Sequence, residues 1–308
     1  MNLDNKYCLL TNDVETTSIW HNSLRDDTGK KVLLEGMPIL LDLYEKYNIK
    51  TTFFFTGYIA KLYPEIVKMI LPYGHEVASH GMSHVRSDGF DIMSLNKQIK
   101  HLKESKDILE NISGQEVISF RAPALRVNNN TAIALEKSGY LIDSSIASQR
   151  FDMFMSFGSF KKLNWLFCPR KPYQTSRKSL FKKGNGKIIE VPLSALILPY
   201  LGTTMRIFPK ITSIQRSILN IESMITKKPI VFDIHPNEFI DESSEKREYE
   251  RRVDNFLISF IQDNIRSKLK TKNLGLNGFK IYSNQVEYFI KKNYKFDTIK
   301  NYINNIRV

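Results

Sequence analysis

TTFFFTGYIAKLYPEIVKMILPYGHEVASHGMSH, residues 51–84, is the stretch on which the fold turns. Its opening, TTFFFTG (51–57), is β-branched and aromatic, the composition of a strand buried on both faces. PEIVKMILPYG (64–74) begins with Pro and ends with Gly, the order in which helices start and stop. HEVAS (75–79) is short and apolar and runs into Gly81, which reads as a second strand. A strand, a helical crossover and another strand make a βαβ unit, whose two strands lie parallel.

The same rhythm continues in both directions. YCLLTND (7–13) reads as a first strand, and residues 32–47 have helical periodicity. Residues 94–114 form a Ser-capped helix closed by Gly114, followed by the strand EVISF (116–120), a helix over 131–140 and a short strand, LID (141–143). KIIEVPLSA (187–195) and PIVFDIH (229–235) look like buried strands, and GFKIYSNQVEYFIKKN (278–293) suggests a last strand and helix. Alternation of this kind predicts an α/β fold with a mostly parallel sheet. With no repeat or linker in view, one domain is expected over 1–295, carrying an inserted loop or lid at about 145–186. A Lys/Asn-rich tail, 296–308, is expected to fray.

The chain has 308 residues, of which 42% are hydrophobic, and a formal net charge of +13. Its Lys and Arg are spread along the chain amid much Asn and Ile, so nucleic acid is not the expected partner. An anionic glycan, a sugar nucleotide or a membrane surface suits that charge better, with residues 161–187 as the region for peripheral contact with a membrane or a lipid-linked substrate. Cys8 and Cys168 lack the spacing of a disulfide framework or a zinc motif. The first residues lack a basic stretch followed by a long apolar one, and no 18-residue apolar run follows, so a cytoplasmic location is expected.

In parallel β/α folds the ligand site lies at the carboxyl ends of the strands. Asp13 and Glu15 follow the first strand, His80 and His84 the third, Arg121 the fourth, Asp143 the fifth and His235 the last. Each alone has a bland reading: Asp13 and Glu15 as a capping pair, Arg121 as a surface residue, Asp143 as a cap, His235 as a satisfied core histidine, and HxxxH as two polar residues in a loop. Their coincidence at strand ends points to a shared mouth. Two imidazoles and a carboxylate make a three-ligand site for a divalent cation. A second carboxylate could take a proton from water, and a histidine across the cleft could give one to a leaving amine.

TNDVE, GHEVASHGMSH, SFRAPA, DSS and FDIHP, in that order, resemble the five motifs of the polysaccharide deacetylases of the NodB-homology type, carbohydrate esterase family 4. The resemblance covers about residues 5 to 240. It implies a distorted (β/α)7 barrel and a metal-dependent hydrolase that removes N- or O-acetyl groups from a carbohydrate. By that resemblance Asp13 matches the catalytic base, His80 and His84 the metal ligands, Arg121 the arginine that orients the base, His235 the catalytic histidine and Asp143 the acid that supports it. The family's common first motif has two adjacent aspartates and a glycine, whereas this chain reads Asp13-Val14-Glu15. Side chains alternate along a strand, and a variant branch that includes peptidoglycan-deacetylase-like and allantoinase-like members uses an acid two positions on, which assigns Glu15 to the metal.

Zn2+ is the first expectation for that metal, with Co2+, Ni2+ and Fe2+ tolerating the same ligands. Leu125 and the missing fourth-motif tryptophan point away from a chitin-like polymer, and the motif set implies an acetylated sugar, with a glycan-biosynthesis intermediate as the expected substrate. A cyclic amide or ureide hydrolase and a non-catalytic glycan-binding protein are the rival readings. In the 145–186 excursion, Phe151, Phe154, Trp165, Tyr173 and Lys171 could hold a sugar and an anion, or bury themselves under a lid. Glu190 could face the cleft or serve the fold.

Overall fold

The computed structural model describes residues 6–150, 165–247 and 267–306. Its centre is a strongly curled sheet. Strands β1 (Tyr7–Val14), β2 (Thr52–Phe55), β3 (Glu76–Ser79), β4 (Ser119–Phe120) and β5 (Ile142–Asp143) pair in sequence order, all parallel. A hairpin of β6 (Tyr173–Ser176) and β7 (Ser179–Lys183) precedes β8 (Ile189–Glu190), which returns parallel to β5. A second hairpin, β9 (Ala195–Leu196) and β10 (Leu198–Pro199), leads to β11 (Ile230–Ile234), parallel to β1 on its far side. Seven of these strands thus run parallel. Ser194 N–H donates to the Val231 carbonyl at 3.1 Å, and Leu201 bridges Asp233, so the segment after β8 bends back to β11 and closes the curl. This is a distorted (β/α) barrel.

Burial explains why these runs become strands. All of Thr52–Phe55 and Ile230–Ile234 is buried, as is β1 beyond Tyr7. Such strands are covered by helices outside and side chains within. The outer layer includes α1 (Met37–Lys46), α2 (Gly57–Leu62), α3 (Leu95–Ser113) and α4 (Thr131–Lys137). Ser94 Oγ caps α3 by accepting from Lys97 N–H, as its sequence anticipates.

Four expectations need correction. Residues 64–74 form two short turns, Glu65–Lys68 and Leu71–Tyr73, because Pro72 lacks the N–H that would continue the first into the second. The excursion after residue 145 holds the β6–β7 hairpin, which is antiparallel to β8 and widens the sheet. Residues 278–293 contain no strand: Tyr282, Val286 and Phe289 fall on one buried helical face of α7 (Leu276–Lys291), beyond α5 (Gly202–Ile207) and α6 (Pro209–Thr226). The tail is docked over most of its length. β12 (Lys295–Phe296) pairs with β1, and α8 (Ile299–Asn305) buries Ile299, Tyr302 and Ile303.

Candidate active site

At the carboxyl end of the barrel, β1 alternates its side chains so that Thr11, Asp13 and Glu15 share one face. Beside it, the loop after β3 carries His80 and His84, their rings 5.3 Å apart. These two histidines are not on a helix. Gly81 takes a φ of +70° between them, a turn that suits glycine, and the chain doubles back to bring both imidazoles toward Glu15.

Glu15, His80 and His84 each offer one ligand atom, and the three atoms lie within 4.8 Å of one another. Glu15 Oε2, His80 Nε2 and His84 Nε2 are buried without a hydrogen bond. Glu15 Oε2 and His84 Nε2 are 2.9 Å apart, yet not aligned to bond. Orphaned buried polar atoms are costly, and three converging on one point fit a cation. His80 Nδ1 meets the Arg121 carbonyl at 2.8 Å, which as an N–H donor fixes the ring and leaves Nε2 as a lone pair. Burial pushes the His80 pKa down to about 4, so the ring is neutral near pH 7, as a metal ligand must be. Burial alone would lift the Glu15 carboxyl, but His84, His235 and His80 hold it at about 2.

Arg121, fully buried on the residue after β4, organises the second half of the site. Its Nη1 donates to Asp13 Oδ1 at 2.9 Å, to Asp233 Oδ1 at 2.7 Å and to Thr11 Oγ1 at 2.8 Å. Its Nε and Nη2 are held by the Ser144 carbonyl and hydroxyl, and its guanidinium lies 4.3 Å from the Phe54 ring centroid. With Oδ1 of Asp13 so occupied, Oδ2 faces His80 Nε2 at 3.5 Å and His235 Nε2 at 4.0 Å. Burial would raise the Asp13 pKa, but Arg121, His80 and His235 outweigh it and keep the carboxylate ionised. Asp233 goes the other way: burial and the Asp13 charge push it up against the pull of Arg121.

His235 lies at the end of β11. Its Nδ1 is 3.1 Å from Glu238 Oε1, while Nε2 sits 3.9 Å from Asp233 Oδ2, too far to bond. Burial opposes a charge on this ring, yet Asp233, Glu238 and Asp13 together raise its pKa to about 10. Glu238 is itself paired with Arg206 of α5, both fully buried. Gly202 opens α5 because a Cβ there would lie 2.5 Å from Glu238 Oε1 and 2.3 Å from Ile234 Cδ1.

Asp143 does not take the place expected of it. Its carboxylate accepts from Ser145 Oγ at 2.7 Å and Ser145 N–H at 3.3 Å, and the acids beside His235 are Glu238, Asp233 and Asp13. Glu190 is fully buried, accepts from Ile146 N–H at 3.0 Å and serves the fold. Asp233 was legible, since it precedes His235 by two in a strand and so shares its face. Glu238 and Arg206 carried no such signal. Trp165 and Tyr173 are buried and Lys171 is exposed, which favours the satellite-core reading for the two aromatics. Phe151 and Phe154 lie outside the described residues, as do 161–164 of the basic stretch 161–187. Beside Glu15 and His84 opens a cavity of about 270 Å³, lined also by Thr16, Leu24, Asp26, Thr56, Tyr58, Ser83 and Val85.

Fold and site together define a parallel α/β barrel enclosing a histidine and carboxylate centre. Residues 25–142 match the family model of the polysaccharide deacetylases. A peptidoglycan deacetylase of Helicobacter pylori is 31% identical over 116 residues, 38% of this chain and 39% of that protein. A peptidoglycan-N-acetylglucosamine deacetylase of Bacillus cereus is 29% identical over 103 residues, 33% of this chain and 46% of that one. The chain thus matches under half the length of these relatives. Among solved structures, an allantoinase shares the fold with a TM-score of 0.60 at 14% identity, covering 97% of this chain and 89% of its own. A Mycobacterium smegmatis protein assigned provisionally as a polysaccharide deacetylase does so with a TM-score of 0.54 at 18% identity, covering 96% and 94%.

Proposed function

We propose that the protein is a metal-dependent carbohydrate deacetylase, acting on an acetylated sugar of glycan assembly. The observation that carries this reading is the convergence of three bond-less ligand atoms, from Glu15, His80 and His84, beside an oriented carboxylate and a charged imidazole. Zn2+ suits two imidazoles and one carboxylate, and Co2+, Ni2+ or Fe2+ would fit the same donors. A divalent ion held there would supply Lewis acidity to an acetyl carbonyl and make water more acidic.

The protein's own residues supply the rest. Asp13 Oδ2, ionised and unblocked by Arg121, is the atom placed to accept a proton from water. Arg121 keeps the carboxylate in one rotamer by tying down Oδ1. His235, charged and turned by Glu238, presents Nε2 from the opposite side, where it can give a proton to the departing amine nitrogen. The neighbouring cavity, with Tyr58 and Leu24 as apolar walls and Asp26, Thr16 and Ser83 as polar ones, is of the size and character that suit a sugar ring. Proteins of this class named for peptidoglycan sugars, similar over part of the chain, support the same substrate class.

The test is direct. Purified protein should hold about one divalent ion per chain and release acetate from N-acetylated saccharides, and Asp13→Asn should lower that rate by at least ~100-fold. Acetate release unchanged in Asp13→Asn would refute the mechanism. Turnover of cyclic amides or ureides in place of acetylated sugars would move the chain to the rival hydrolase class. Glycan binding that survives chelation, with no turnover, would leave only a binding protein.

A further inference from the structure

Helix α6 is turned inside out. Its inward face carries Thr212, Gln215, Leu219, Asn220 and Ser223. Its outward face carries Ile211, Ile214, Ile218, Ile221, Met224 and Ile225, which are between 48% and 76% exposed. The isoleucines recur at intervals of three and four and form one stripe along the helix. A helix shaped by its own fold alone would bury them.

The stripe does not stand alone. The β9–β10 hairpin packs beside the same helix, since Gln215 Nε2 donates to the Leu198 carbonyl at 2.7 Å. Arg170 joins the two elements, donating to the Ala195 carbonyl at 2.8 Å and pairing with Glu222 of α6 at 2.6 Å. At the hairpin tip Ile197 is 66% exposed with a φ of +61°, a conformation that a β-branched residue rarely adopts. Phe167, three residues before Arg170, is 89% exposed.

The hydroxyls beside the stripe are satisfied within the helix. Ser213, Ser217 and Thr226 donate to the carbonyls of Pro209, Ser213 and Glu222, so no hydroxyl there needs water. Glu222 is engaged by Arg170 and Lys228. The exposed charges at the two ends of the stripe, Lys210 and Lys227, are both positive.

We propose that this face lies on an anionic lipid surface, with α6 in the plane of the interface and Ile197 and Phe167 entering beside it. The charge decides between occupants. A second copy of the chain would bring the same lysines to an antiparallel seam, Lys210 against Lys227, with Glu222 already engaged. The net charge of +13 repels such a copy and draws the protein to an anionic leaflet. The apolar area, on the order of 500 Å² per chain, is at the upper end of the largest patch a monomer exposes, the range in which such patches are often functional and suited to interfacial binding. The inference is independent of the catalytic reading.

The full chain should co-sediment with vesicles of phosphatidylcholine and phosphatidylglycerol, weakly or not at all with phosphatidylcholine alone, and less as salt rises. The double substitution Ile214→Ser with Ile218→Ser should weaken binding at least ~10-fold while leaving the melting temperature unchanged. Failure to bind the anionic vesicles, or binding that ignores the double substitution, would overturn the proposal. So would a dimer in ultracentrifugation that the same two substitutions dissolve.

Discussion

The buried Arg121 links both halves of the site, since its carbonyl orients His80 while its guanidinium holds Asp13 and Asp233. Its neighbour in function, His235, owes its high pKa to surrounding acids, burial working against it. A group needed in its protonated form sets the alkaline limb of a pH profile. Removing one of those acids in Glu238→Gln lowers the His235 pKa, so the alkaline limb of acetate release should move toward neutrality while the acidic limb stays. A profile unmoved by this change would show that His235 does not deliver the proton. Asp143 and Glu190 form a second acidic pair, both fully buried, in which burial raises both carboxyls and the Asp143 charge raises Glu190 further. A carboxyl whose folded pKa is raised costs stability as pH climbs above its unfolded value. Glu190→Gln can still accept from Ile146 N–H and can donate to Asp143, so it should raise the melting temperature at pH 8 and change it little at pH 4.

At the scale of single elements, β2 and β3 show how packing and protonation meet. Phe54 is fully buried between β1 and β3 and lies beneath Arg121. Phe54→Ala should cost about 3–5 kcal/mol in denaturant unfolding, through the cavity it leaves. His75, at the start of β3, is buried and its Nδ1 accepts from Thr51 N–H at 3.3 Å, a bond open only to the neutral ring. Burial lowers its pKa from 6.5 to about 4. Between those values the unfolded chain binds the proton and the folded one does not, so its contribution is present above about pH 6.5 and lost as pH falls toward 4. His75→Gln should flatten that part of a stability curve measured by urea titration across the range. These elements were also the most legible ones: Phe53, Phe54 and Phe55 can only be a doubly covered strand, and Ser94 and Gly114 mark the two ends of α3. The segment 278–293 suggests a strand by sequence yet folds as helix, because a run of mixed aromatic and polar residues suits either period until it meets its partner surface.

Across the whole molecule, the sheet is held closed at both ends of the sequence. β12 adds to the amino-terminal half of β1, and α8 docks through Ile299 N–H on Thr52 Oγ1 at 2.9 Å and Lys300 N–H on the buried Glu76 at 3.0 Å. Deleting residues 295–308 exposes Ile299, Tyr302 and Ile303 contacts worth about 1.5–3 kcal/mol each when fully buried, so the truncated chain should melt well below the full one or fail to fold. An unchanged melting point would mean that the tail is dispensable. A divalent ion that binds only the folded barrel should raise the melting temperature, and Glu15→Gln or His84→Ala should abolish that rise without lowering the metal-free value. Among the described residues no helix is long and apolar enough to cross a membrane, and the outward stripe of α6 is a surface feature of a different kind.

The order of strands and crossovers, the face shared by Asp13 and Glu15, and the gathering of His80, His84, Arg121 and His235 at one end of the sheet follow from local periodicity and chain direction, which a sequence carries on its own. The partner of His235 did not follow, because Glu238 and its own anchor Arg206 meet only when α5 packs across β11. Nor did the burial of Glu190, the docking of the tail or the outward turn of the isoleucines on α6. Each depends on which surface an element happens to meet, and that is settled by contacts between residues far apart in the chain.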